Sequence, residues 1–321
     1  MARARAHGHA ASEAASPHLL PLRDWGRVLR RVVPHVLSDR LMVQAAGVAF
    51  FAVLSVAPVL VTAVSVYGAV NTPEDALRQL SDVAGMLPED LRSVVADQLV
   101  TVTTASGQVL TFRGLTGLAA ALYTATTAMT YLVDGLTLAY HEEETRGFLR
   151  RSALALALVL GGAVLLAAVL TVAGLVPRAV GGAPGAVRAA VPALAWVAAA
   201  ALMSGVLAVL YRLGPDRKRA RWRWITPGSV AATALWLLTT LGFFAYVSSL
   251  GSYESTYGSL AGVAISMFWL WVTVFLVFLG AAVNAEAERQ TARDSTVGPE
   301  RPLGERGAVV ADSVPPYPRE R

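Results

Sequence analysis

The chain has 321 residues, 55% of them hydrophobic and only 15% charged, with 27 Lys and Arg against 22 Asp and Glu for a net charge of +5. That is more apolar surface than a soluble core of this length buries. Cysteine is absent, which excludes disulfides, iron–sulfur clusters and thiolate zinc sites.

Residues 1–20, rich in Arg, Ala and Ser, read as a disordered cytoplasmic tail. Over 21–38, Leu22, Trp25, Val28, Leu29, Val32 and Val36 recur at helical spacing while Arg23, Arg27, Arg30 and Arg31 point elsewhere. Such an amphipathic segment lies in the headgroup layer or packs on the loops of a bundle, and Pro34 predicts a bend in it. From Leu41 to Val70 no residue carries a formal charge, and similar runs recur near 114–133, 152–176, 189–211, 225–250 and 259–283. Each reaches the ~20 residues that cross a bilayer core as a helix. The fold class is therefore all-α: a polytopic membrane protein with six transmembrane helices over 39–288.

Within that frame Pro58 predicts a kink near Leu54 and Ser55, because it cannot donate to the carbonyl four residues back. Residues 73–104 carry two apolar stripes, Leu77, Leu80, Ala84, Leu87 and then Leu91, Val94, Val95, Leu99, Val102, which predict an amphipathic helical outer loop. Ala153, Ala157 and Gly161 are spaced for close helix approach in lipid. Thr226 and Pro227 read as the cap and first residue of the fifth span, with Trp222 and Trp224 in one interfacial belt and Tyr246, Tyr253 and Tyr257 in the other. Residues 289–321, with Pro, Gly and mixed charge, read as a second disordered tail.

Charge sets the orientation. The segment before the first span, the second connection (Arg146, Arg150, Arg151) and the fourth (Arg212 to Arg223) hold most of the basic residues, whereas the other connections hold few. The positive-inside rule then places both termini of this multi-pass protein on the cytoplasmic side of its membrane. No short apolar signal with a small-residue cleavage site precedes the first span.

Tyr123, Thr127, Thr130, Asp134 and Thr137 share one face of the second span, and Ser55, Pro58 and Thr62 share one face of the first, with Gln44 further along. Two readings of this polar seam stand: a solute path, or hydroxyls that bond their own helix carbonyls and neighbours. Asp134, the one acid within reach of a span, is expected to meet Arg146, Arg150 or water. Arg217, Lys218, Arg219, Arg221 and Arg223 form a basic loop suited to lipid headgroups or an acidic partner. No cofactor is expected. His7, His9, His18, His35 and His141 have no carboxylates at metal-shell spacing, and neither a phosphate loop nor a nucleophile elbow occurs, so no catalytic or metal residues are assigned.

Four stretches in order, Asp39 to Leu60, Leu132 to Arg151, Trp222 to Trp236 and Tyr253 to Glu288, resemble the YihY/BrkB family of bacterial inner-membrane proteins, once labelled ribonuclease BN-like. The resemblance implies a six-helix, multi-pass protein of the bacterial inner membrane with a poorly defined activity, some relatives being linked to serum resistance or envelope lipid export. Thr137 stands where the family usually has Asn, which replaces an amide by a hydroxyl. Together these readings point to a non-enzymatic transporter or flippase-like exporter of a lipid or other amphiphilic envelope molecule. The alternatives are a scaffold recruiting partners through its basic loop and, remotely, a ribonuclease. The partners expected are membrane lipids and an amphiphilic substrate, not nucleic acid. Oligomeric state is not legible.

Overall fold

The computed structural model describes residues 12–70, 107–182, 184–249 and 259–313. The outer-loop helices expected over 73–104, and Tyr253 and Tyr257, lie outside the described residues. Among the described residues eight α-helices run in order: α1 (Leu22–Val36), α2 (Asp39–Val70), α3 (Gly107–Ala139), α4 (Phe148–Val180), α5 (Gly185–Leu213), α6 (Trp222–Ser249), α7 (Ser259–Arg289) and α8 (Val309–Asp312). The chain is an all-α, polytopic membrane protein. Among the described residues five helices, α2 and α4 to α7, are long and apolar enough to cross a membrane by length and composition. α3, at 33 residues, is as long. Arg113, Asp134 and a series of threonines lower its apolarity, so the expected six spans become five on that measure.

Two compact units divide the chain, one of Met1–Ala49 with Met129–Arg321 and one of Phe50–Ala128. In the smaller unit α2 and α3 meet at Gly117, where a Cβ would come 2.9 Å from Thr62 Oγ1 and 3.1 Å from Val61 Cγ1. α2 stays helical through Pro58, with Ser55 Oγ donating to the Ala52 carbonyl at 2.7 Å and Thr62 Oγ1 to the Pro58 carbonyl at 2.8 Å.

The larger unit keeps its core at one end. Leu41, Ala45 and Val48 of α2, Leu136 and Ala139 of α3, Leu207 and Tyr211 of α5, Ile225 and Ala232 of α6, and Phe278, Ala281 and Ala285 of α7 are buried together. Away from that end the side chains of α4 to α7 are mostly exposed, as expected of helices whose solvent is lipid. α1 buries Val28, Val32 and Val36, one side chain per turn, against Ala282 and Val283 of α7, while Leu22, Leu29 and Val33 remain exposed beside that face.

α6 and α7 cross at glycines. A Cβ on Gly228 would overlap the Gly280 carbonyl and lie 2.6 Å from Asn284, and one on Gly280 would lie 2.6 Å from the Gly228 carbonyl. Here, as at Gly117, small residues admit close approach, which the Ala153–Ala157–Gly161 stripe does not show at Gly161. Gly161 has open space around it. α6 also begins a turn earlier than expected, at Trp222, with Thr226 Oγ1 donating to the Trp222 carbonyl. Trp224 does not join an interfacial belt; it is buried with Ala14, Leu20 and Ala287, whereas Trp222 is half exposed under the Arg212 guanidinium.

The segments read as disordered tails are folded over residues 12–20 and 290–313. Ser12 pairs with Gln290 and Ala292 through backbone hydrogen bonds, and Arg221 N donates to Ser295 O and Val297 N to Arg219 O. Arg306, 5% exposed, donates from its guanidinium to the carbonyls of Ala292, Arg293, Arg301 and Ala311. The glycines that suggested disorder are turn residues: Gly298, Gly304 and Gly307 all have positive φ.

Replacing Gly228 by Ala is expected to destabilise the protein by about 1–3 kcal/mol through overpacking. Gly242→Ala in the same helix, where nothing lies within 4 Å, is expected to be neutral or slightly stabilising. Thermal unfolding of both variants in detergent checks the difference.

Candidate functional site

The last turns of α7 read Asn284, Ala285, Glu286, Ala287, Glu288, Arg289, Gln290. On a helix, Asn284 and Glu288 share one face and Glu286 and Gln290 lie nearly opposite, with alanines between them leaving room for neighbours. Polar groups so placed serve two sets of partners.

Glu286 faces α1 and the turn after α3. Its Oε2 accepts from Arg31 Nε at 2.6 Å and its Oε1 from Arg289 Nη1 at 3.0 Å, with His141 Nε2 also 3.0 Å from Oε1. Arg31 Nη2 reaches Gln290 Oε1 at 3.0 Å. His141 adopts φ 57°, which turns the chain back after α3 and stacks its ring on His35, centroids 4.0 Å apart. His35 Nε2 lies 3.2 Å from the Ala139 carbonyl and so carries a proton there. Burial, and next the neighbouring His141, hold His35 below its ordinary value, the Ala139 carbonyl opposing in part.

Glu288 faces the loop between α5 and α6. It is fully buried and accepts two hydrogen bonds from Arg217, at 3.1 and 2.7 Å, and one from Ser295 Oγ at 2.8 Å. Burial disfavours the Arg217 charge, but Glu288 more than offsets this and its pKa stays raised. The Tyr140 ring lies under the guanidinium, 5.0 Å from Arg217 Cζ, and burial pushes the Tyr140 hydroxyl up. Beside them Gly228 N donates to Asn284 Oδ1 at 2.7 Å, tying α6 into the same cluster.

Asp134 pairs with Arg151 of α4, not with Arg146 or Arg150. Arg146 instead holds Glu144 and the Gly214 carbonyl, and Asp216 accepts from the backbone and hydroxyl of Thr145 at 2.8 and 2.6 Å. Burial pushes Asp216 up, but those two hydrogen bonds together with Arg146 hold it below the usual carboxylate range. Thr137 is buried. Its hydroxyl donates to the Val133 carbonyl and accepts from Asp216 N, so that it acts as both donor and acceptor at the position where the family usually has Asn.

The residues of the expected polar seam fall in both units: Ser55, Pro58, Thr62, Tyr123 and Thr127 in the smaller, Thr130, Asp134 and Thr137 in the larger. Ser55, Thr62, Thr127 and Thr137 donate to carbonyls of their own helices, Tyr123 is 71% exposed, and Thr130 is half-buried on α3. Gln44 donates to the Tyr131 carbonyl at 2.8 Å. In the basic loop Arg217 corrects the expectation of a headgroup contact: its side chain is 3% exposed and bound to Glu288. Arg221 donates to the Thr296 and Gly298 carbonyls, leaving Lys218, Arg219 and Arg223 without side-chain partners among the described residues.

A cavity of about 400 Å³ opens between α6 and α7, outside the ionic cluster. Trp236, Phe243, Tyr246, Phe268 and Trp269 supply its aromatic walls, and Thr239, Thr240 and Thr273 its hydroxyls. Trp236 Nε1 donates to Thr273 Oγ1 at 3.1 Å. Among the described residues no group of three or more His, Cys, Asp or Glu side chains stands together as a metal shell requires.

The family model for Virulence factor BrkB matches residues 32–303. The chain belongs to the BrkB family. The match takes in α1 from Val32, the ionic cluster apart from Arg31, and most of the folded segment after α7. It is 29% identical over 253 residues to the ribonuclease-like protein YfkH of Bacillus subtilis (strain 168), covering 75% of this chain and 88% of that one. A UPF0761 membrane protein of Rhodospirillum centenum is 29% identical over 128 residues, 40% of this chain and 29% of its own length. One of Tolumonas auensis is 36% identical over 84 residues, 26% of this chain and 28% of its own. No solved structure matches the chain.

Sequence reading of this BrkB-family chain missed Glu286, Glu288 and Arg306. The first two were visible as a period-two alternation of Asn, Glu and Gln with Ala that no solvated helix end requires. Arg306 left no local signal, because its partners are backbone carbonyls.

Arg217→Met is expected to cost about 3–5 kcal/mol by leaving Glu288 buried without a counter-charge, and the double change Arg217→Met with Glu288→Leu to recover most of it. Denaturant or thermal unfolding of the single and double variants measures this. A histidine depressed in the folded state contributes stability that is complete above its ordinary value of 6.5 and is lost as pH falls below it. Melting temperature is therefore expected to drop between about pH 7 and about pH 5, and His35→Gln to flatten that dependence.

Proposed function

We propose that this BrkB-family protein moves an amphiphilic envelope molecule, a lipid or lipid-like compound, as a transporter or flippase-like exporter. The observation that carries the reading is the aromatic cavity between α6 and α7, within stretches apolar enough to cross a membrane. Flat rings suit hydrocarbon or isoprenoid chains, and the threonine hydroxyls give a polar group a place to bond without a charge being buried. The basic end is read as cytoplasmic by the positive-inside rule, with both termini inside, and the membrane as the bacterial inner membrane on the family resemblance.

A nuclease is not proposed, although the Bacillus subtilis relative is named ribonuclease-like. Glu286 and Glu288, the two carboxylates at the centre of the cluster, are engaged with guanidinium groups. A scaffold acting through the basic loop has less support than its sequence suggests, since Arg217 and Arg221 are held inside the fold.

Proteoliposomes carrying a fluorescent lipid are expected to show scrambling or flux above empty vesicles. Thr240→Trp, which fills the cavity, is expected to lower it on the order of tenfold, a barrier increase of about 1.4 kcal/mol. Flux equal to that of empty vesicles under every gradient sinks the proposal.

A further inference from the structure

A second concavity, of about 570 Å³, lies at the basic end beside the first two turns of α6. Arg223, Thr226, Pro227, Val230 and Ala231 line one side of it, at the three- and four-residue spacing that puts them on one helix face. Pro17, His18 and Trp25, from the N-terminal segment and α1, form the other side.

The polarity of this groove is ordered along its length. Arg223 is exposed and makes no hydrogen bond or ion pair with any described residue, unlike Arg217 and Arg221 just before it. No carboxylate lines the groove, and the nearest acid on α1, Asp24, is bonded to Arg27 at 2.9 Å. Below Arg223 the surface loses its donors: Thr226 gives its hydroxyl proton to the Trp222 carbonyl, and Pro227 has no N–H. Val230 and Ala231 follow, about 10 Å further along the helix at 1.5 Å per residue. One cation at the mouth, an indole at the boundary and an apolar floor in line with both match an anionic head, its interfacial region and the start of a hydrocarbon chain.

We propose that this groove binds a single anionic phospholipid, its phosphate on the Arg223 guanidinium and its first methylenes on Val230 and Ala231. A guanidinium binds a phosphate through two parallel N–H donors, and an arginine near an anionic membrane surface contributes about 1 kcal/mol, close to a fivefold preference over a zwitterionic lipid. Trp25 stands where aromatic rings collect at membrane interfaces. The exposed Leu22, Leu29 and Val33 continue the apolar surface along α1, so that a lipid seated there stays in contact with the bilayer. A free phosphate ion is the poorer match, since the donors of the lining, on Arg223, His18 and Trp25, leave the apolar floor of Pro227, Val230 and Ala231 without use for it. The inference shares with the proposed function the premise that amphiphiles reach this protein, but it concerns binding, which is measured with no transport.

The full chain in phosphatidylcholine nanodiscs, titrated with spin-labelled phosphatidylglycerol or phosphatidylcholine, tests it through the fraction of immobilised label. Wild type is expected to prefer phosphatidylglycerol about fivefold. Arg223→Gln should abolish the preference, and Arg223→Lys should keep most of it. Arg30→Gln, which removes an exposed arginine of α1 outside the groove lining, should leave it unchanged. Val230→Trp, which fills the floor, should reduce immobilisation of both lipids. The proposal is overturned if Arg223→Gln keeps the preference while melting as wild type does, or if Arg30→Gln lowers it equally, which would mean a diffuse surface charge. Displacement of phosphatidylglycerol by millimolar inorganic phosphate would also overturn it, in favour of a free-anion site. Loss of scrambling activity with the lipid preference intact would count against the transport reading alone.

Discussion

Two carboxylates placed two residues apart near the end of α7 organise the larger unit. Glu286 draws in Arg31 from α1 and His141 from the turn after α3, and Glu288 draws in Arg217 from the loop before α6. A buried carboxylate without a counter-charge is costly enough to outweigh several packing contacts, so each glutamate requires its partner to be present and in register. The alanines between them matter as much as the charges. Larger side chains at 285 and 287 would hold Trp224 and the loop residues away.

The rest of the membrane-crossing surface is built on another principle. Along α4 and much of α5 the side chains face outward, and lipid can solvate them without loss, so little in those helices specifies a neighbour. Specific packing is kept for the Gly228–Gly280 crossing and for the charged end. A protein made this way holds one end fixed while the apolar parts of α6 and α7 separate enough to leave an aromatic-lined cavity between them. The two concavities beside α6 have different chemistry, one aromatic and uncharged, the other opening on an unpaired arginine.

The segments that read as tails show where composition misleads. Proline, glycine and mixed charge mark disorder when nothing holds them, but the same residues form turns when an Arg306 binds four carbonyls and an Asp312 accepts from the backbone N–H groups of Gly304, Arg306 and Gly307. Thr226 and Pro227 misplaced the start of α6 for a related reason: a local capping signal is weaker than the backbone pairing of Arg221 with Ser295, which sets the helix running from Trp222. Asp134 was legible as an acid in need of a cation. Which arginine would answer depended on the angle at which α4 leaves the loop.

By itself the order of residues determined the solvent of this protein, its helical class and most of its element boundaries, because long uncharged runs and helical periodicity are local properties that survive in any packing. It determined the family as well, through four motifs that keep their order. Only the tertiary structure decided which arginines are free. Arg217 and Arg223 are six positions apart in one basic stretch, yet one is sealed against Glu288 and the other stands open at a groove on α6. That difference depends on what a distant helix brings alongside, and a charge cannot report from the sequence whether its counter-charge will arrive.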